Sequence, residues 1–210
     1  MTDMCETEQW AVFLTATADA KTLNRALLRI QGWEVSEYLC DSKWTVLTST
    51  QLPPMTPPPT ATAFGENHRN EFTGRSLAEV NTFMRAVSDK LEELEIFLEL
   101  WLIIDDIGLA TDTCVVCKQC FDGGDEDDAS TWSYTDNFEA LRIPIDQAWP
   151  VFSGLVLGRE FIDYQANDLS VQSDGTVQFD TSYSKELTDP DVLDRRQKGW
   201  QMWKDQGHVD

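Results

Sequence analysis

From Ser76 to Asp106 the chain carries a strongly specified helix that runs into an apolar strand, and the strand stops at two adjacent carboxylates. Ser76 and Glu79 have the S-x-x-E spacing of a capping box, in which each side chain satisfies a backbone N–H that the first helical turn leaves orphaned. Leu77, Val80, Met84, Val87, Leu91, Leu94 and Leu98 follow at alternating three- and four-residue steps, which predicts one continuous helical face that must be buried. The run Leu100, Trp101, Leu102, Ile103, Ile104 is too short to span a membrane and reads as a buried strand ended by Asp105 and Asp106. Open α/β sheets collect ligands at the carboxyl ends of their strands. The two aspartates are therefore the first place to look for function.

A chain of 210 residues can enclose one core that buries roughly 70% of its unfolded surface. A single domain over residues 1–210 is expected. The formal charge of -21 argues against nucleic acid and anionic membranes as partners, since both need clustered Lys and Arg. No stretch reaches the length of a membrane span, because Glu95 and Glu99 interrupt the longest candidate. The N-terminal residues lack the basic start and long apolar core of a secretory signal. Five cysteines without the dense spacing of a secreted scaffold favour a reducing, cytoplasmic setting.

Around the central stretch, Trp10 to Thr15 reads as a strand, followed by a helix with Asp19 as N-cap and Gly32 just past its end. Ala20, Leu23, Leu27 and Ile30 form its buried face, and Lys21, Arg25 and Arg29 a solvated stripe paired with nearby acids. Trp44 to Thr48 is a second strand. Leu52 to Thr60 holds five prolines in nine residues and opens a long connection through His68 and Arg69. Thr113 to Phe121 returns as a strand, Asp122 to Ser130 is an acidic loop, and Phe138 to Ile145 is a further strand. Asp146 is read as the cap of a short helix or turn containing Trp149 and Pro150, and Leu155 to Tyr164 as a strand. Asp174-Gly175 marks a β-hairpin turn within Ser170 to Phe179. Asp189-Pro190 starts a C-terminal helix whose side is marked by Leu193, Arg196, Trp200 and Trp203 and which ends at Gly207. The sum is an α/β (or α+β) chain, a mixed sheet flanked by helices with a hairpin and a C-terminal helix.

The chemistry-bearing residues form no complete catalytic or cofactor motif: G-x-G-x-x-G, the P-loop, H-E-x-x-H and the EF-hand loop are all missing. Asp105 and Asp106 are the candidate acid and base; being adjacent, they point to opposite sides, so at most one faces a pocket. Strand-ending aspartates before a glycine also form turns. His68 is the candidate second proton carrier, on a loop with Arg69 that could close over a ligand or stand exposed. Trp101, Arg69, Trp200 and Trp203 are the candidate ligand contacts, with core packing as the plainer role of the tryptophans. Cys114, Cys117 and Cys120 could supply three thiolates to a metal, yet a strand sets the middle one on the opposite face, and no metal site or cofactor is expected.

Two functions from different classes follow. The first is a protein that binds a small apolar molecule in an aromatic-lined pocket and catalyses cofactor-independent proton transfer, as an isomerase, cyclase or lyase would. The second has no chemistry: its acidic surface, with Glu92, Glu93, Glu95 and Glu99 on the long helix and the Asp122 to Asp128 loop, binds and blocks a basic protein partner, as an immunity protein or nucleic-acid mimic does.

Overall fold

A computed structural model describes residues 9–32, 43–57, 63–65, 68–122, 133–166, 171–184 and 188–210. The acidic segment 123–130, residues 58–60 of the proline-rich stretch, Trp33, Trp132, Cys5 and Cys40 lie outside the described residues. One mixed sheet organises the chain, with strand order β2-β1-β3-β4-β5-β6. The strands are β1 (Gln9–Leu14), β2 (Trp44–Val46), β3 (Ile96–Ile104), β4 (Thr113–Asp122), β5 (Ser133–Pro144) and β6 (Val177–Gln178). β1 runs parallel to both of its neighbours, β3, β4 and β5 alternate antiparallel, and β6 returns parallel to β5 at the edge.

Helices cover both faces. On the first lie α1 (Ala20–Ile30), α5 (Ala148–Val156) and α6 (Pro190–Asp205), whose apolar residues join Trp10, Val12 and Leu14 of β1 in one core. On the second lie α2 (Leu77–Ala86) and α3 (Ser88–Glu93), packed over Ala11, Phe13, Trp101 and Ile103. A short helix α4 (Asp106–Thr111) joins β3 to β4. All six residues of β1 are buried, as a strand covered on both sides requires.

The capping rules place several of these ends. The Asp19 carboxylate accepts from Thr22 N at 2.7 Å to start α1. The capping box of α2 forms in both directions, Ser76 N to Glu79 Oε2 at 2.8 Å and Glu79 N to Ser76 Oγ at 3.3 Å. Asp189 and Pro190 open α6, and Gly207 follows its end with φ of 77°. Gly32 does follow the C-cap of α1, but its reason is contact: a Cβ there would run into the Trp149 indole. The stripe Lys21, Arg25 and Arg29 is paired as expected, the first two with Asp210 at 2.5 and 3.1 Å and the third with Asp112 and, at 2.7 Å, Asp146.

Four readings are corrected. The helix from Ser76 does not continue to Leu98: it breaks at Val87, resumes as α3, and Glu95 at φ 55° turns the chain into β3. Leu98 belongs to that strand, so Glu95 and Glu99 share no helix with Glu92 and Glu93. Leu155 to Tyr164 is not a strand. It comprises the end of α5, a turn, and a 3-10 turn at Phe161–Tyr164 in which Asp163 accepts from Glu160 N at 3.0 Å. Asp146 does not cap α5 but sits in the preceding 3-10 turn, where it takes Arg29 from α1 and Arg196 from α6. The buried side of α6 is Val192, Gly199 and Trp203, leaving Leu193 exposed.

The Asp174-Gly175 turn forms, closed by Gln172 N to Thr176 O at 2.7 Å with Gly175 at φ 83°. Its outgoing arm becomes β6, which pairs with β5 at Leu141↔Val177 and Arg142↔Gln178. That arrangement brings the turn to the sheet end where Asp105 lies. Among the described residues no helix is long and apolar enough to cross a membrane.

Candidate ligand-binding cleft

Residues 101 and 103 share the second face of β3, Asp105 follows directly after its end, and the antiparallel register of β4 and β5 sets Thr113 and Arg142 on that face near the same end. The side chains meet there. Arg142 donates from Nη1 and Nη2 to the two carboxylate oxygens of Asp105 at 3.0 and 2.7 Å, a bidentate fork. On its other side Nε donates to Asp174 Oδ2 at 2.9 Å, with Nη2 at 2.8 Å from the same oxygen. Nη1 also reaches Thr113 Oγ1 at 3.3 Å. The three charged side chains are only 14 to 20% exposed, so water screens them weakly.

Each carboxylate is tied to backbone as well. Asp105 is the N-cap of α4 and accepts from Gly108 N at 2.7 Å. Glycine is needed at 108, because a Cβ would strike the Thr113 carbonyl oxygen and stand 2.9 Å from Asp105 Oδ1. Asp174 Oδ1 accepts from the Thr176 amide and hydroxyl at 3.0 and 2.7 Å. One cation thereby fastens the β3–α4 junction and the turn before β6 to β5.

Beside this trio opens a cleft of about 480 Å³. Ile107, Pro144, Val177 and Phe179 give it apolar walls, and Arg142, Asp174, Ser173, Thr111, Thr113, Thr176 and Thr181 bring polar groups to its rim. Volume and lining fall in the range of small-molecule sites.

Burial pushes the Asp174 carboxyl up, but the Thr176 hydroxyl and amide and the Arg142 guanidinium outweigh it and hold the group below 3.8. Asp146 is balanced the same way, burial against Arg29 and Arg196. A carboxyl depressed in the folded state binds protons more readily when unfolded, so its stabilisation is present above the unfolded pKa and is lost as pH falls through the folded one. Stability is expected to hold from neutral pH to about 5 and to decline below 3.8. Urea midpoints at neutral pH, pH 4 and pH 3 check this, and Asp174→Asn should flatten part of the decline.

The other expected site residues are dispersed. Asp106 does point away from Asp105, and accepts from Thr17 N at 2.8 Å in the loop after β1. His68 is half-buried, its Nδ1 at 3.3 Å from Gly65 O and its ring 5.2 Å from Phe64. Phe64 is in turn docked on α1 through Asn24, at 2.7 and 3.1 Å. Arg69 is exposed. Trp101 is fully buried, 6.3 Å from Phe138, and Trp203 is buried in the first-face core. Trp200 is half-buried beside a shallow depression on α6 with Leu193 and Arg196. None of these lines the cleft; its aromatic wall is Phe179. Sequence reasoning missed Arg142, and the only signal was a lone cation inside the otherwise apolar end of β5, Ala140 to Pro144.

Cys114 and Cys117 lie in the first- and second-face cores respectively, as strand alternation requires. Among the described residues no three His, Cys, Asp or Glu side chains are grouped to hold a metal. Burial pushes both thiols far up, whereas Cys120 is only half-buried. Iodoacetamide on native protein is expected to modify Cys120 first of the three and to spare Cys114 and Cys117 until denaturant is added, as peptide mass spectrometry would read.

Fold and site together define a mixed α/β protein with a cleft at one end of its sheet edge. No protein-family model matches the chain, and neither does any curated protein or solved structure.

Proposed function

We propose that this protein binds a small, largely apolar molecule in the cleft between α4, β5 and β6. The supporting observation is the cleft itself, about 480 Å³ with apolar walls and a hydroxyl-rich rim anchored by Arg142 and Asp174. Binding without turnover is the reading favoured by the bonding of Asp105. Arg142 engages both of its oxygens, and Asp105 is not among the residues that line the cleft. A fragment screen by NMR tests the proposal. Ligands should shift amide signals of Thr113, Thr176 and Val177, and Val177→Trp, which fills the space, should abolish those shifts. Hits that cluster elsewhere and survive Val177→Trp would remove the cleft from consideration.

A second reading, an acidic protein that blocks a basic partner, has one specific observation behind it. Burial raises the Tyr134 phenol, and the charges of Glu99, Glu92 and Asp89 raise it further, at an exposed ring that lies tilted against Phe121 at 5.1 Å. Oligolysine titration should then perturb Tyr134 at low salt and not at high salt. No perturbation at low salt would sink this reading.

A further inference from the structure

The cleft holds an arginine, which would ordinarily be read as a handle for carboxylate or phosphate ligands. Here the handle is already occupied. Nε, Nη1 and Nη2 of Arg142 each lie within 3.0 Å of a carboxylate oxygen, and the remaining reach of Nη1 goes to Thr113 Oγ1. An anionic ligand would have to displace Asp105 or Asp174 to use it. Displacing Asp174 would also break its two bonds to Thr176, and displacing Asp105 would uncap α4.

One guanidinium between two carboxylates leaves the trio with a net negative charge. These side chains are mostly shielded from water, and the residual charge is felt across the adjoining, solvent-open cleft. The rest of the polar rim consists of neutral groups, the hydroxyls of Ser173, Thr111, Thr113, Thr176 and Thr181 among them. Hydroxyl oxygens accept from an ammonium as readily as they donate.

Resting on the small-molecule reading above, we infer that the ligand is a small organic amine with an apolar body, and that the cleft rejects carboxylates and phosphates of the same shape. The apolar part lies on Ile107, Pro144, Val177 and Phe179, and the ammonium sits at the rim against neutral hydroxyls such as those of Ser173 and Thr181, within the field of the trio.

Benzylamine and benzoate share a ring and differ in the sign of their charge, so titrating each into isotope-labelled protein and following Thr113, Thr176 and Val177 amides tests the inference. Benzylamine should bind at least about tenfold more tightly than benzoate at low salt, with the gap narrowing at high salt. Asp105→Asn, which leaves Arg142 balanced by Asp174 alone, should narrow it as well. Benzoate binding as tightly as the amine, or a gap unchanged by Asp105→Asn, overturns the inference while leaving the cleft a binding site. If neither compound moves those signals at tens of millimolar, roughly the weakest binding such probes show, the small-molecule reading falls and this inference with it.

Discussion

Replacing Arg142 with methionine is expected to cost about 3 kcal/mol of stability. The guanidinium is the shared partner of two carboxylates whose side chains are 20 and 17% exposed, and methionine leaves both of them desolvated and unpaired. The damage should be local in part, because β6 is held to the sheet through only Leu141↔Val177 and Arg142↔Gln178, and the Asp174 turn through Arg142. Urea unfolding should therefore show a lower midpoint, and limited proteolysis new cleavage within 171–181. The triple change of Arg142→Met, Asp105→Asn and Asp174→Asn should recover much of the loss, since it removes the orphaned charges along with their partner. A single variant as stable as the parent would show that the trio does not clamp this edge.

Trp44→Ala should be costlier still, at about 4 kcal/mol. Trp44 is fully buried, with ring centres 5.0 Å from both Trp10 and Phe152 and 6.2 Å from Trp149. Its Nε1 donates to Ile30 O at 2.8 Å, which satisfies one of the carbonyls that the last turn of α1 leaves unpaired. Truncation opens a cavity between β2, α1 and α5 and orphans that carbonyl. Trp44→Phe should lose about half as much, keeping part of the packing but not the hydrogen bond. Chemical denaturation of the two variants side by side separates these contributions, and equal losses would mean the hydrogen bond, not the volume, dominates.

Element type was legible wherever a local rule acted alone. Asp19, the Ser76/Glu79 pair and Asp189-Pro190 each cap through atoms a few residues away, and all three do so in the folded protein. The reading failed where two periods overlapped. Leu91, Leu94 and Leu98 fit a helix, but Leu98 also lies on the second face of a strand that begins at Ile96, and nothing apolar marks the reversal at Glu95. Between Leu155 and Tyr164 the apolar residues resembled a strand, but the spacing of Trp149, Phe152 and Leu155 already belonged to α5, whose Pro150 sits in the first turn where its missing N–H is harmless.

The site was half legible for a similar reason. Asp105 announces itself as the end of a buried strand, and Asp174 as a turn residue before glycine. Their meeting depends on β5 lying beside β4 and on β6 folding back against β5, neither of which any local pattern encodes. The tryptophans misled because aromatic content marks cores and pockets alike. Six of the eight fall in described segments, and most of those fill the two cores.

The place of β1 in the sheet bears on how the protein reaches its native state. Val12 pairs with Val46 on one side and Leu102 on the other, so β1, the first strand among the described residues, is an interior one whose second edge stays bare until a segment some ninety residues later arrives. Trp203 and Val209 then close the first-face core around residues at the opposite end of the sequence. Contacts this distant must meet the entropy of closing long loops before they return any stabilisation, which sets refolding on the slow side for a domain of this size. During that interval an apolar strand with unpaired amides and carbonyls is open to other chains, and the formal charge of -21 on every copy opposes their approach.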